Sequence, residues 1–163
     1  MKIAPLLKTA RLTLRGIEEE DTGFILKLRS DPEVFQYFVS PYKITEAEHI
    51  KWFRNSYLKN ENRIDWVATD SLGKLVGIFG VKRNSNDTDE AEVSYILATD
   101  QYGKGLASEA VGRLIRYCAE EWQCKYVTAE IHKDNSASIR FAEKLGFVQK
   151  SQSVVFIFFR KKT

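Results

Sequence analysis

The chain has 163 residues, 44% of them hydrophobic and 29% charged, which suits one soluble domain spanning 1–163 around a single core. Its 25 basic and 22 acidic residues leave a net charge of +3, too balanced for a nucleic-acid partner. No apolar run approaches the roughly 18 residues of a membrane span and the opening residues carry no signal-peptide pattern, so no membrane partner and a cytoplasmic location are expected.

Two cysteines, Cys118 and Cys124, make no disulfide framework, and two distant histidines, His49 and His132, bring no visible set of metal ligands. Chemistry without a dedicated metal is expected.

In chain order, residues 11–15 alternate polar and apolar and predict a first strand. Residues 18–28 carry Phe24, Ile25 and Leu28 behind an acidic first turn and predict a helix. Asp31-Pro32 starts a short helical turn, and Thr45-Glu46-Ala47-Glu48 is a capping box that opens a helix to about residue 58. Residues 65–69 and 75–81 read as strands about the turn at 71–74. Residues 91–98 read as a strand, 105–122 as a helix and 126–132 as a strand, a β-α-β unit with parallel strands. A helix over 136–145 stops at Gly146, and strands at 147–150 and 154–160 close the sheet. The pattern predicts an α/β domain: an antiparallel meander, then one parallel crossover. Residues 154–159 are expected at a sheet edge open to a second chain, so monomer and homodimer both stand.

The segment Asp100-Gln101-Tyr102-Gly103-Lys104-Gly105-Leu106-Ala107-Ser108 sits where a strand gives way to a helix. Its glycines allow turn conformations and close ligand approach, and the amides that follow are the unpaired donors of a helix start, which favour phosphate. Lys104 adds a mobile positive charge. The spacing does not fit a Walker loop, and Ser108 stands where a dinucleotide fingerprint needs Gly or Ala. A plain glycine turn and a pyrophosphate-binding loop both remain open from this segment alone.

The segment also resembles the pyrophosphate loop of the GNAT superfamily, Gln/Arg-x-x-Gly-x-Gly/Ala, with Gly105 and Ala107 at the last two required positions and Tyr102 in place of the Gln or Arg. Thr9-Ala10-Arg11-Leu12-Thr13-Leu14-Arg15, Ser30-Asp31-Pro32-Glu33-Val34, Ala91-Glu92-Val93-Ser94-Tyr95-Ile96-Leu97 and Asn135-Ser136-Ala137-Ser138-Ile139-Arg140 with Leu145-Gly146-Phe147 resemble, in order, segments of its Rim-type branch, which includes ribosomal-protein N-terminal acetyltransferases. The resemblance implies the GNAT fold: a mixed, mostly antiparallel sheet of about seven strands flanked by about four helices.

It further implies an acetyl-CoA-dependent N-acetyltransferase acting on a primary amine, either a protein N-terminus or a small molecule such as an amino sugar. A non-catalytic acyl-CoA-binding module is the alternative. A split between the family's fourth and fifth strands admits pantetheine, which would pair with backbone groups of Tyr95, Ile96 and Leu97. Amides over Gly103, Lys104, Gly105, Leu106, Ala107 and Ser108 would hold the pyrophosphate, and Asn135 would lie near the coenzyme or cap its own helix. An amine must be neutral to attack, and a lysine-like amine with pKa near 10.4 needs more help than an α-amine at about 7.7–8.0. Glu92 matches a strand carboxylate that serves as general base, though it also reads as an ordinary surface glutamate. The tyrosine that protonates the leaving thiolate in many members falls at Ala142, and Ser138 is one substitute, though it also reads as a helix-start hydroxyl bonded to local backbone. The acceptor side would draw on Phe35, Tyr37, Phe38 and Tyr42, residues that also suit ordinary core, with Glu46 and Glu48 nearby.

Overall fold

Local chemistry sets most of the helix starts in the computed structural model, which describes residues 2–38 and 43–163. Helix α1 (Thr22–Arg29) follows a single 3-10 turn, and α2 (Pro32–Phe35) is one turn capped by Asp31, whose carboxylate accepts the Glu33 amide. The capping box opens α3 (Glu46–Asn55): Thr45 Oγ1 accepts the Glu48 amide (3.2 Å) while the Glu48 carboxylate accepts the Thr45 amide (2.8 Å). Gly105, in the left-handed region at φ 75°, precedes α4 (Leu106–Glu120). Asn135 Oδ1 accepts the Ser138 amide (3.2 Å) at the start of α5 (Ser136–Lys144).

Eight strands form one sheet: β1 (Leu7–Lys8), β2 (Thr13–Gly16), β3 (Arg63–Thr69), β4 (Leu75–Arg83), β5 (Glu90–Leu97), β6 (Tyr126–His132), β7 (Val148–Gln152) and β8 (Phe156–Lys162), in the order β1-β2-β3-β4-β5-β6-β8-β7. Every neighbouring pair is antiparallel except β5 and β6, which α4 joins as the parallel crossover. The mixed α/β architecture expected from the sequence is therefore present, with one strand more. The addition, β1, pairs only Leu7 and Lys8 with β2 and is too short to show a periodicity.

The two sheet faces are covered differently. The odd-numbered residues of β5 face α4 and α5, with Trp66, Phe79, Val93, Leu106, Val111 and Leu114 in the main core. The opposite face carries a smaller cluster of Ile17, Ile25, Phe53, Tyr57 and Val67 beneath α1 and α3. Residues 154–159 do not form the sheet edge. The strand there, β8, is paired with β6 on one side and β7 on the other, and the outer edge is β7. Order within a sheet depends on pairing between segments far apart in sequence, which local alternation does not encode. Among the described residues, no helix is long and apolar enough to cross a membrane, and Cys118 and Cys124 are buried free thiols.

Candidate active site

The parallel pair is short. β5 and β6 are in register only at Glu90, Ala91 and Glu92, against Tyr126, Val127 and Thr128. Beyond that point β5 continues on β4 as far as Leu97 while β6 continues on β8 as far as His132, so the two strands part. A cleft of about 1580 Å³ passes through this split and reaches both sheet faces. That exceeds the roughly 300–1,000 Å³ of a single-ligand pocket and leaves room for a coenzyme and an acceptor together.

The ladder decides which backbone groups face the split. Ala98 N donates to Val76 O (2.9 Å) and Asn84 N to Glu90 O (3.0 Å), at the two ends of an unbroken antiparallel register. The even residues of β5 thus spend their amides and carbonyls on β4, and Val93, Tyr95 and Leu97 turn theirs toward the split. The backbone of Ile96, expected to face pantetheine, is committed to β4 instead. Ile96 contributes only a side chain to the cleft wall.

On the α4 side, Gly103 and Gly105 take φ of 77° and 75°, conformations that L side chains rarely adopt. A Cβ at Gly103 would meet nothing within 4 Å, so the loop is open to a ligand. Gly103, Gly105, Leu106, Ala107 and Ser108 line the cleft, and the first amides of α4 have no partner among the described residues, as at any helix start. Lys104 departs from expectation: its Nζ turns back to Gln101 Oε1 (3.3 Å), and it is off the cleft wall. Tyr102 is on the wall and 52% exposed.

A latch from the chain's beginning, which local pattern does not reveal, holds this loop. Thr9 Oγ1 and the Arg11 amide both donate to Glu109 Oε1 (2.7 and 3.0 Å), the Arg11 Nε donates to Glu109 Oε2, and Arg11 Nη1 donates to Lys104 O (2.7 Å). Burial alone would push the Glu109 carboxyl up, but the bonds from Thr9 and Arg11 outweigh it and hold the group below its ordinary value. Glu109 lies in the first turn of α4, where its negative charge would compete with a bound phosphate. Arg11→Ala is expected to weaken coenzyme A binding about tenfold, read by calorimetry, because it frees both that charge and the Lys104 carbonyl; unchanged affinity would mean that the latch does not support coenzyme binding.

On the other face the register lays out the cleft floor in rows. Arg63, Lys82 and Glu92 stand in one row, with Asp65, Gly80 and Ser94 in the next. Asp65 is 5% exposed and accepts from Arg63 Nε (2.7 Å); burial pushes its carboxyl up, against the pull of Arg63, Lys2 and Arg29. Gly80 makes room for that carboxylate. A Cβ there would run into Asp65 Oδ1 and come within 3.0 Å of Ser94 Oγ, so Gly80→Ala is expected to cost about 1–3 kcal/mol in thermal or denaturant unfolding.

Glu92 is exposed into the cleft, at the bottom of a concavity. The protein around it raises its pKa above the usual glutamate value, Glu130 raises it further, and Lys82 and Arg63 oppose the shift. Ser138, on the α5 side, is half-buried, and its hydroxyl meets the Tyr95 hydroxyl at 2.6 Å rather than local backbone. Asn135 also lines the cleft while capping α5, and Ala142 is 3% exposed. Of the aromatic residues expected on the acceptor side, Tyr37 and Phe38 line the cleft wall; Tyr37 packs on His132 (5.5 Å), which packs on Phe156 (5.5 Å). Phe35 packs on Phe38 (6.3 Å), Glu48 is occupied in the capping box and Tyr42 lies outside the described residues. Among the described residues no group of three or more His, Cys, Asp or Glu side chains is placed to hold a metal.

Known proteins resemble this chain in sequence and in fold. The chain is 31% identical over 144 residues to an uncharacterized N-acetyltransferase, p20, of Bacillus licheniformis, covering 86% of this chain and 81% of the relative. Its fold superposes on a spermidine N-acetyltransferase from Vibrio cholerae solved with CoA and spermine (TM-score 0.82, 22% identity, 93% and 95% of the two chains). It superposes equally on RimL, a ribosomal L7/L12 α-N-protein acetyltransferase solved with coenzyme A (TM-score 0.83, 15% identity, 97% and 98%). The acetyltransferase (GNAT) domain family matches residues 11–148, and the chain belongs to that family.

Proposed function

We propose that this single-domain chain is an acetyl-CoA-dependent N-acetyltransferase that transfers acetyl to a primary amine by direct attack. The observation that carries the reading is the split between β5 and β6, with a glycine-opened helix start on one face and Glu92 on the other. The coenzyme A bound in the spermidine enzyme and in RimL supports the same cosubstrate here. Acetyl-CoA supplies an acyl thioester whose carbonyl the amine attacks and whose thiolate leaves.

The chain's own residues do the rest. Amides from Gly103 to Ser108 bind the pyrophosphate, and backbone groups of Tyr95 and Leu97 align the pantetheine along the free side of β5, where an amide facing the thioester oxygen polarises it. Glu92 takes the proton of the attacking amine, directly or through water, and its raised pKa brings it nearer to neutral pH, where a base is most effective. Ser138 lies on the leaving-group side.

The acceptor is a protein N-terminus or a small amine. The acceptor-side floor mixes Arg29, Arg63 and Lys82 with Glu33, Asp65, Glu92 and Glu130, which suits an amine carrying other polar groups, such as an α-amine or an amino sugar, better than a bare polycation. The Rim-type resemblance favours the N-terminus. A thiol-release assay with acetyl-CoA against N-terminal peptides, amino sugars, nucleotide-linked amino sugars, aminoglycosides and polyamines tests the reading. Turnover confined to one of the first three classes is expected. Polyamine turnover alone would reverse the acceptor assignment, and coenzyme binding without turnover on any amine would favour a binding module.

A further inference from the structure

The leaving sulfur needs a group that stabilises its developing charge, and Ala142, where a tyrosine would stand, has none. Two hydroxyls nonetheless meet at the split, from elements 43 positions apart: Tyr95 Oη on β5 and Ser138 Oγ on α5, 2.6 Å from one another. Each is held from behind. The Tyr95 ring packs on Phe141 (4.8 Å between centroids), and the Ser138 amide is tied to Asn135 Oδ1 (3.2 Å). Both side chains line the cleft, and neither hydroxyl has another hydrogen bond among the described residues.

The geometry allows either hydroxyl to donate. A phenol is the stronger donor of the two, so we take Tyr95 as the donor to Ser138, which leaves the serine's own proton free to point elsewhere. We propose that Tyr95 is a positioning residue that fixes the Ser138 hydroxyl as a hydrogen-bond donor toward the thioester sulfur, so that the pair stabilises the coenzyme A thiolate and keeps its protons. Burial pushes the Tyr95 phenol up to about 12, so handing its proton to a thiolate would run uphill, since a thiol titrates near about 8.5. In the transfer the nitrogen–carbon bond forms, the carbon–sulfur bond breaks and its electron pair goes to sulfur. The amine's proton goes to Glu92 and then to solvent.

The inference rests on the coenzyme-binding part of the function proposed above, and its test needs no acceptor. Coenzyme A is bound to the protein and its thiol is titrated by thiolate absorbance in the parent, Tyr95→Phe, Ser138→Ala and the double variant. Tyr95→Phe keeps the ring on Phe141 and removes only the hydroxyl. The bound thiol of the parent is expected to titrate below that of free coenzyme A, and each single variant to raise it by about one unit, a tenfold change in the acid constant, with affinity within about threefold of the parent. The double variant should add nothing to Ser138→Ala. A thiol pKa unmoved by Tyr95→Phe, or shifts that add in the double variant, would overturn the inference while leaving the acetyltransferase reading intact. Failure of the parent to bind coenzyme A would overturn both. In turnover, a thioester with a more acidic leaving thiol should narrow the deficit of Tyr95→Phe, a rescue that lost packing would not produce.

Discussion

Glu92→Gln is expected to lower turnover by about 10²–10³-fold at neutral pH while leaving acetyl-CoA affinity unchanged. The glutamine keeps the size and the cross-strand position opposite Lys82 but takes no proton. Glu92 lies on the sheet face opposite the α4 start and Ser138, so in the proposed arrangement the loss should fall on kcat with an amine of high pKa and leave coenzyme binding alone. The pH profile carries the sign. A base works only when deprotonated, and protein surroundings together with Glu130 raise the Glu92 pKa, so the acid limb of kcat/KM should lie above the ordinary glutamate range. Glu130→Gln removes a like charge and should move that limb to lower pH. Rates of Glu92→Gln equal to the parent across the profile would remove Glu92 from the mechanism.

Gly105→Asp is expected to weaken coenzyme A binding by about 30- to 100-fold. Two effects combine. Gly105 sits at φ 75°, which costs a residue with a Cβ roughly 1–2 kcal/mol. Its Cβ would also stand 3.3 Å from the Arg11 guanidinium, and the added carboxylate would lie at the helix start proposed to bind the pyrophosphate. Gly105→Ala separates the terms, because it keeps the backbone cost without the charge and should weaken binding less. Calorimetry with thermal unfolding alongside distinguishes lost affinity from lost fold. Parent-like affinity in Gly105→Asp would mean that the phosphates lie elsewhere.

Sequence pattern carried the elements with strong local signals. The capping box at Thr45, the helix predicted over 105–122 and the glycine at 105 each depend on neighbours within a turn or two, and each appears in the structure where the pattern puts it. What escaped the pattern is long-range. Arg11 reaches Glu109 across 98 positions, and Tyr95 reaches Ser138 across 43, so neither pair leaves a local trace. Ile96 reads like its neighbours, yet strand alternation, fixed only by the register with β4, turns its backbone from the split. Lys104 looks like a phosphate ligand by position, but Gln101 holds its ammonium. The inner place of β8 follows from pairing with β6, which no alternation within residues 154–160 could reveal.

Transfer of an acetyl group from a coenzyme in the β5–β6 split to an amine nitrogen is measured by following acetyl-CoA labelled at the acyl carbonyl through incubation with a mixture of N-terminal peptides and amino sugars, resolved by mass spectrometry. Label is expected on the nitrogen of one acceptor class in equal amount to free coenzyme A, with loss of both in Glu92→Gln. Label appearing only as acetate, or no coenzyme A released although acetyl-CoA binds, would contradict transfer to the amine.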